Sequence, residues 1–90
     1  MEITDVKIIM INEDRVKAYA SVVFDKCFIV RDLKVIRGDD KLFVAMPSKR
    51  MKDGTYRDTV HPLNKETRQV IEANVLKAYE KVQNKADPAG

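Results

Sequence analysis

The spacing of the apolar residues changes along the chain from a period of about two to a period of about 3.6, and this change constrains the fold most. From residue 16 to residue 24 every second residue lies on an apolar face formed by Val16, Ala18, Ala20, Val22 and Phe24. After residue 64 the apolar residues follow a helical stripe formed by Ile71, Val75, Ala78 and Val82, with Tyr79 beside it. Strands followed by a helix predict an α+β domain, an antiparallel β-sheet of about four to five strands with one C-terminal α-helix packed on one face.

Turn-forming residues divide the first two-thirds of the chain into strands. We expect strands over residues 3–11, 16–24, 28–37 and 42–46, and a last short extended segment over 56–60. The turns are expected at 12–14, 25–26, 38–40 and 53–54. In the third strand, alternation places Ile29, Leu33 and Val35 on one face. Asn64 is expected to cap the helix, because its side-chain oxygen can accept a free backbone N–H of the first turn.

The length and composition indicate a single folded domain. Of the 90 residues, 44% are hydrophobic, which excludes wholesale disorder and permits a modest core. We expect one domain over residues 1–84 and a frayed tail over residues 85–90. One helix cannot cover both faces and both edges of a sheet, so pairing with a second copy is the expected solution.

Features that the sequence lacks disfavour several classes of protein. No apolar run approaches the roughly 18 residues of a membrane span. The N-terminal residues lack the basic and apolar pattern of a secretion signal. The one cysteine, Cys27, can form neither an intramolecular disulfide nor a cysteine-based metal cage. We therefore expect a cytoplasmic protein that contacts no membrane.

Candidate catalytic residues are few. His61 is the one histidine, and without a second ligand it is expected to form a local hydrogen bond beside Pro62. Cys27 would need a neighbouring base to act as a nucleophile, and the apolar residues that follow it favour a buried or half-buried thiol. The carboxylates are dispersed among Lys and Arg, and there is no glycine-rich phosphate loop. We therefore expect no enzyme activity, cofactor, metal site or small-molecule substrate.

The excess of positive charge lies in the centre of the chain. The net charge is +3, and residues 1–46 and 70–90 each contain as many basic as acidic residues. Residues 47–69 contain six Lys and Arg against three Asp and Glu, so the whole excess belongs to this segment. Two interpretations remain open, namely an ordinary solvated loop and a basic surface that attracts polyanions.

The basic residues of segment 47–69 form two groups. The first group lies around the Asp-Gly turn and consists of Lys49, Arg50, Lys52 and Arg57. Their guanidinium and ammonium groups can neutralise phosphates. The second group lies at the expected helix start, where free backbone N–H groups would favour an anion beside Lys65 and Arg68. Two alternatives stay open: Arg68 could brace the segment onto the sheet, and Tyr56 could pack against the sheet instead of stacking on a base.

Several sequence blocks, taken in order, resemble one family. They are MEITDVKI at the N-terminus, FIVRDLKVI in the centre, LFVAMPSKR at 42–50, DGTYRD at 53–58, and HPLN at 61–64 followed by Arg68. Together they closely resemble the stage V sporulation protein G (SpoVG) family of septation proteins, over roughly residues 1–82. The resemblance implies a small, dimeric α+β protein of bacteria, linked to septation, to sporulation in spore formers and to gene regulation. It also implies binding to DNA and RNA with limited sequence preference.

The resemblance can be carried over residue by residue. The family's basic loop corresponds to Lys49, Arg50 and Arg57, and its helix start corresponds to residues 64–69, which include Lys65, Arg68 and Gln69. At the position of Lys52 many members have a non-basic residue, and the turn at 12–15 is one residue shorter here and lacks their glycine.

The function expected from this resemblance is that of a homodimeric regulator that binds DNA or RNA through the basic loop and the helix start. The alternative is a protein-interaction adaptor in cell division that does not bind nucleic acid directly.

Overall fold

The computed structural model describes residues 1–86, which form a four-stranded sheet, a two-stranded sheet and one helix. In chain order the elements are β1 (Ile3–Glu13), β2 (Val16–Phe24), β3 (Phe28–Arg37), β4 (Leu42–Ala45), β5 (Ser48–Arg50), β6 (Tyr56–Asp58) and α1 (Lys65–Ala86). All strand pairs are antiparallel, and the larger sheet has the order β1-β2-β3-β4. This architecture confirms the predicted α+β class, and the small sheet of β5 and β6 is an addition to it.

The core lies between α1 and one face of the four-stranded sheet. The exposed fraction of the residue is 0% at Val22, 1% at Leu33 and 0% at Val35. On the helix, Val75 is completely buried and Tyr79 is nearly so. Burial of apolar surface stabilises a fold by about 25 cal/mol per Å². The apolar faces predicted for β2 and α1 are therefore the ones that hold the domain together.

A β-bulge interrupts β3, and because of it the predicted position of Ile29 on the same face as Leu33 and Val35 is wrong. The register of β2 and β3 shifts by one residue between the pairs that contain Leu33 and Val30. Asp32, inside the shift, has a φ of 67°, in the left-handed region. A shift of one residue exchanges the two faces of a strand. Val30 therefore packs against the core, and Ile29 is exposed on the opposite face.

The hairpin between β2 and β3 is closed by a turn that contains no glycine. The backbone N–H of Cys27 donates to the carbonyl of Phe24 at 3.0 Å. The two central residues, Asp25 and Lys26, have φ values of 51° and 57°, which are typical of a type I′ turn. The N–H of Lys26 donates to Oγ1 of Thr4 at 2.9 Å, so β1 braces the turn.

Several element boundaries differ from the sequence-based expectation, although β3 has the predicted bounds. β4 ends at Ala45 instead of residue 46, and β6 ends at Asp58 instead of residue 60. The turn after β2 includes Cys27, which is exposed, so the prediction of a buried or half-buried thiol is wrong. β1 extends to Glu13, which moves the first turn to residues 14–15. α1 includes residues 85 and 86 of the expected tail, and the remainder, 87–90, lies outside the described residues.

Candidate functional site

The basic segment folds into a short antiparallel ribbon, which we call the basic ribbon (residues 47–59). The sequence predicts its turn at 53–54 and an extended segment over 56–60, but not the paired strand before the turn. Its strands β5 and β6 align in three pairs, Ser48 with Asp58, Lys49 with Arg57, and Arg50 with Tyr56. At the base, the backbone N–H and the hydroxyl of Thr59 both donate to the carbonyl of Pro47, at 2.8 and 3.2 Å. The basic side chains around the turn are therefore placed by a hydrogen-bonded ladder.

The tip of the basic ribbon is a tight turn ordered by its own hydrogen bonds. The N–H of Gly54 donates to the carbonyl of Met51 at 3.0 Å, and Gly54 has a φ of 88°, which favours glycine. One carboxylate oxygen of Asp53 accepts from the hydroxyl and from the backbone N–H of Thr55, at 2.6 and 3.0 Å. These two bonds, the hydroxyl first, lower the pKa of Asp53, because they stabilise its ionised form.

Cross-strand pairing divides the side chains of the basic ribbon between two faces. Residues directly opposite each other in an antiparallel pair project to the same side, with Cβ atoms about 4.5–5.5 Å apart. One face therefore has Lys49 beside Arg57, and the other has Arg50 beside Tyr56. Like charges directly opposite each other destabilise a strand pair. A phosphate bound between Lys49 and Arg57 would relieve this repulsion.

The side chains of the basic ribbon are open to solvent. Tyr56 is 70% exposed, so it does not pack against the sheet, which was the alternative that the sequence left open. Lys52 lies in the turn and is also exposed. A shallow groove follows β5 into the turn and is lined by Lys49, Arg50, Met51, Lys52 and Asp53. Four cationic side chains are thus accessible to a ligand within one short hairpin.

The start of α1 is organised by the predicted cap. Oδ1 of Asn64 accepts the backbone N–H of Thr67 at 2.7 Å, which confirms Asn64 as the N-cap. The acidic Glu66 lies in the first turn. The cap already satisfies one free N–H, and the carboxylate already offsets part of the positive end of the helix dipole. The first turn is therefore a weaker anion site than the sequence suggests.

The predicted helix-start residues all lie on exposed positions of α1. Lys65, Arg68 and Gln69 are exposed, so Arg68 does not brace the segment against the sheet. The groove along β5 includes none of the three. The cations predicted for the site therefore form two groups, one on the basic ribbon and one at the helix start.

His61, the histidine considered as a possible base or metal ligand, makes a local contact. His61 is exposed, and its Nδ1 lies 3.1 Å from the carbonyl oxygen of Pro62, which is the local contact predicted for it. Among residues 1–86, no three His, Cys, Asp or Glu side chains are grouped so that they could hold a metal ion. The same part of the chain contains no helix whose length and apolar character would let it cross a membrane.

An apolar groove lies between the helix start and the β2–β3 hairpin. It has a volume of about 190 Å³, and its lining includes Phe28, Val60, His61 and Ile71. Phe28 is 64% exposed at its rim. Sequence reasoning did not identify this groove, because its lining comes from five separate parts of the chain.

Sequence reasoning also missed the pairing of Lys49 with Arg57. The sequence does contain a signal for this pairing, because Lys49 and Arg57 are equally far from Asp53 along the chain. In a hairpin centred on Asp53, residues at equal distances from the centre pair across the strands. The strands are too short and too polar to show the apolar alternation by which strands are usually found. The Asp-Gly turn was therefore identified, but the ladder on either side of it was not.

Comparison with known proteins places the chain among relatives of one kind. The SpoVG family model matches residues 1–81. A protein of Bdellovibrio bacteriovorus is 60% identical over 81 residues, which cover 90% of this chain and 75% of the relative. A protein of Myxococcus xanthus is 52% identical over 81 residues, covering 90% of this chain and 82% of the relative. Both relatives are named "Putative septation protein SpoVG".

Proposed function

The chain belongs to the SpoVG family, and from this premise we propose that it is a small, dimeric regulator that binds DNA or RNA. Its relatives are named as septation proteins, which links the family to septation. The nucleic-acid contacts are assigned to the basic ribbon and the helix start, that is, to Lys49, Arg50, Lys52, Arg57, Lys65, Arg68 and Gln69. The proposal includes no catalytic step, no cofactor and no membrane contact.

The observation that most supports this function is the cross-strand pairing of two cations, Lys49 and Arg57, whose mutual repulsion no acidic side chain on the same face of the ribbon offsets. A ribbon with no ligand would be more stable with opposite charges at this cross-strand position. The ribbon has two acidic residues: Asp53 is already engaged by Thr55, and Asp58 is the partner of Ser48 and projects from the opposite face. The positive charge on this face is therefore available to a phosphate, and the ladder of the ribbon holds it in place.

The number of cations predicts the salt dependence of binding. Each phosphate neutralised on a DNA duplex contributes a slope of about −0.9 to the plot of log affinity against log salt concentration. If each of the four ribbon cations contacts one phosphate, one protomer contributes a slope of roughly −3.6. A dimer that places both ribbons on the same strand would double this value.

The dimer is assigned to the sheet face opposite α1. Apolar side chains remain exposed there, at Ile9, Tyr19, Ile29 and Phe43. Ile9 and Tyr19 are cross-strand partners, so at least part of this apolar surface is continuous. A second copy that covers the face would remove it from water and would bring two basic ribbons into one particle.

The oligomeric state is tested by sedimentation at increasing protein concentration. We expect the intact chain to sediment as a dimer and Ile9→Lys to shift the equilibrium to the monomer. Val70→Lys is the matched control, because Val70 is also exposed but lies on α1. A chain that remains monomeric at all concentrations, or equal effects of the two variants, contradicts the assigned interface.

Nucleic-acid binding is tested by a salt titration with DNA and RNA. The double variant Lys49→Gln/Arg57→Gln is compared with Lys77→Gln/Lys81→Gln, which removes the same charge from exposed positions of α1. We expect the ribbon variant to bind more weakly, with a slope shallower by about 2 for each protomer, and the helix variant to resemble the intact chain. Absence of binding by the intact protein at low salt would refute the proposal.

The apolar groove favours one alternative, a protein-interaction adaptor in cell division. An open apolar lining next to the exposed Phe28 is typical of sites that receive a partner's side chain. Under this alternative, Lys49→Gln/Arg57→Gln leaves retention on nucleic acid unchanged, whereas Phe28→Ala abolishes capture of a division protein. The two variants therefore separate the two functions.

A further inference from the structure

Tyr56 occupies an exposed position that the stability of the domain does not explain. It is 70% exposed, whereas Tyr79 is 3% exposed and belongs to the core. Its strand, β6, has only three residues, all of them exposed. An aromatic ring in such a strand buries little surface within the protomer, so it is accessible to a ligand or partner.

The cross-strand partner of Tyr56 extends its flat surface. Arg50 lies directly opposite Tyr56. The planar guanidinium of arginine stacks on aromatic rings and on nucleobases alike. Arg50 and Tyr56 therefore place two flat groups side by side on one exposed face of the ribbon, and we call this pair the Arg50–Tyr56 platform.

The platform and the phosphate-binding side chains lie on opposite faces of the same ribbon. Lys49 and Arg57 project from one face, and the platform lies on the other. The groove along β5 is lined by Lys49 and Arg50, one residue from each face, so a ligand bound in it lies beside both faces. A nucleic-acid backbone could thus contact the cations while one of its bases reaches the platform.

Only an unpaired base can make that contact. In a duplex the flat surface of each base is stacked against its neighbours, so a protein ring cannot stack on it until the base is displaced. In a single strand the bases can be splayed out and stacked on aromatic side chains and guanidinium groups. We propose that the Arg50–Tyr56 platform stacks on an unpaired base, and that this contact makes the protein favour single-stranded over duplex nucleic acid. The inference rests on the proposed function, since it requires binding through the basic ribbon.

The test compares Tyr56→Ala with Tyr56→Phe on one sequence, offered as a single strand and as a duplex. Removal of the ring should weaken binding to the single strand by about fivefold or more and leave binding to the duplex unchanged. Phe retains the ring, so Tyr56→Phe should bind both forms as the intact protein does. Neither variant changes the charge, so the salt slope should stay the same in both. Thermal unfolding of each variant checks that the fold is intact.

A spectroscopic measurement gives an independent reading of the same contact. The chain contains no tryptophan, so Tyr56→Trp introduces a single indole at the platform. We expect stacking on an unpaired base to quench its emission at saturation with the single strand, and the same degree of saturation with the duplex to leave it unquenched.

The outcomes separate the inference from the proposed function. If the intact protein binds both forms but Tyr56→Ala weakens them equally or not at all, the platform is wrong and the phosphate-binding ribbon stands. Equal quenching by single strand and duplex overturns the inference in the same way. If the intact protein binds neither form at low salt, both the platform and the proposed function are wrong.

Discussion

Lys49 and Arg57 lie directly opposite each other on β5 and β6, so two cations share one face of a ribbon that has only three residue pairs. Because of this geometry, a substitution that makes the unliganded ribbon more stable should also lower its affinity for a polyanion. Removing the repulsion should favour the unliganded ribbon, and it should also remove a phosphate contact. The two effects can be measured separately in one variant.

Lys49→Glu converts the like-charge pair into an opposite-charge pair. We expect the ribbon to become more stable by about 0.2–1 kcal/mol and nucleic-acid binding to weaken. The N–H groups of Met51 and Thr59 donate within the ribbon, at 2.7 and 2.8 Å, so their hydrogen exchange reports its local opening. Lys49→Gln should give intermediate values for both properties. Faster exchange together with undiminished binding in Lys49→Glu contradicts the interpretation.

The hydrogen bonds from Thr55 predict how the tip of the ribbon responds to acid. They lower the pKa of Asp53 from its ordinary value of 3.8. Since the folded-state pKa is the lower one, these bonds stabilise the turn fully above the ordinary value and lose this effect as the pH falls through the folded-state pKa. We expect NMR titration of the Asp53 carboxyl to give a midpoint below 3.8.

Thr55→Val tests the cause of that shift. The variant keeps the backbone N–H but removes the hydroxyl, whose bond to Asp53 is the larger cause of the lowered pKa. The midpoint should therefore move back towards the ordinary value of an aspartate without reaching it. An unchanged midpoint would show that the hydroxyl does not donate to the carboxylate in solution.

The sequence predicts those parts of the fold in which the apolar pattern is regular. The alternation from Val16 to Phe24 placed β2 and its buried face correctly, and the helical stripe placed α1. In β3 the alternation failed at Ile29, because the bulge at Asp32 inserts one residue and exchanges the faces. A bulge depends on how a strand pairs with its neighbour, and the pattern of a single strand does not contain that information.

The candidate site was predictable in composition but not in arrangement. Charge alone identified Lys49, Arg50, Lys52 and Arg57, and the structure describes all four as exposed. The division into a face with Lys49 and Arg57 and a face with Arg50 and Tyr56 follows from the register of two three-residue strands. That register is set by the turn and by hydrogen bonds of the backbone, which leave little trace in the polarity of the side chains.

The turn between β2 and β3 offers a stabilising substitution. Lys26 has a φ of 57°, which costs a non-glycine residue about 1–2 kcal/mol in the left-handed region. Lys26→Gly removes that strain and retains the N–H that donates to Thr4. After the entropic cost of glycine, we expect a gain of about 0.5–1 kcal/mol, measured by urea denaturation. Val23→Gly, within β2, is the opposite control and should destabilise the domain.

Variants of Asn64 distinguish a structural role of the helix start from a role in nucleic-acid binding. Its side chain accepts the N–H of Thr67, so Asn64→Ala should destabilise the domain by about 0.5–2 kcal/mol. Asn64→Asp keeps a good cap and should retain the stability of the intact chain.

The two variants differ in what they do to a nearby anion. If Lys65 and Arg68 contact phosphates, the carboxylate of Asn64→Asp repels the same backbone, and affinity for nucleic acid should fall although the helix is intact. Arg68→Gln, which removes a cation and leaves the cap unchanged, should weaken binding in the same direction. Undiminished binding by both variants would assign nucleic-acid contact to the basic ribbon alone and leave the helix start with a structural role.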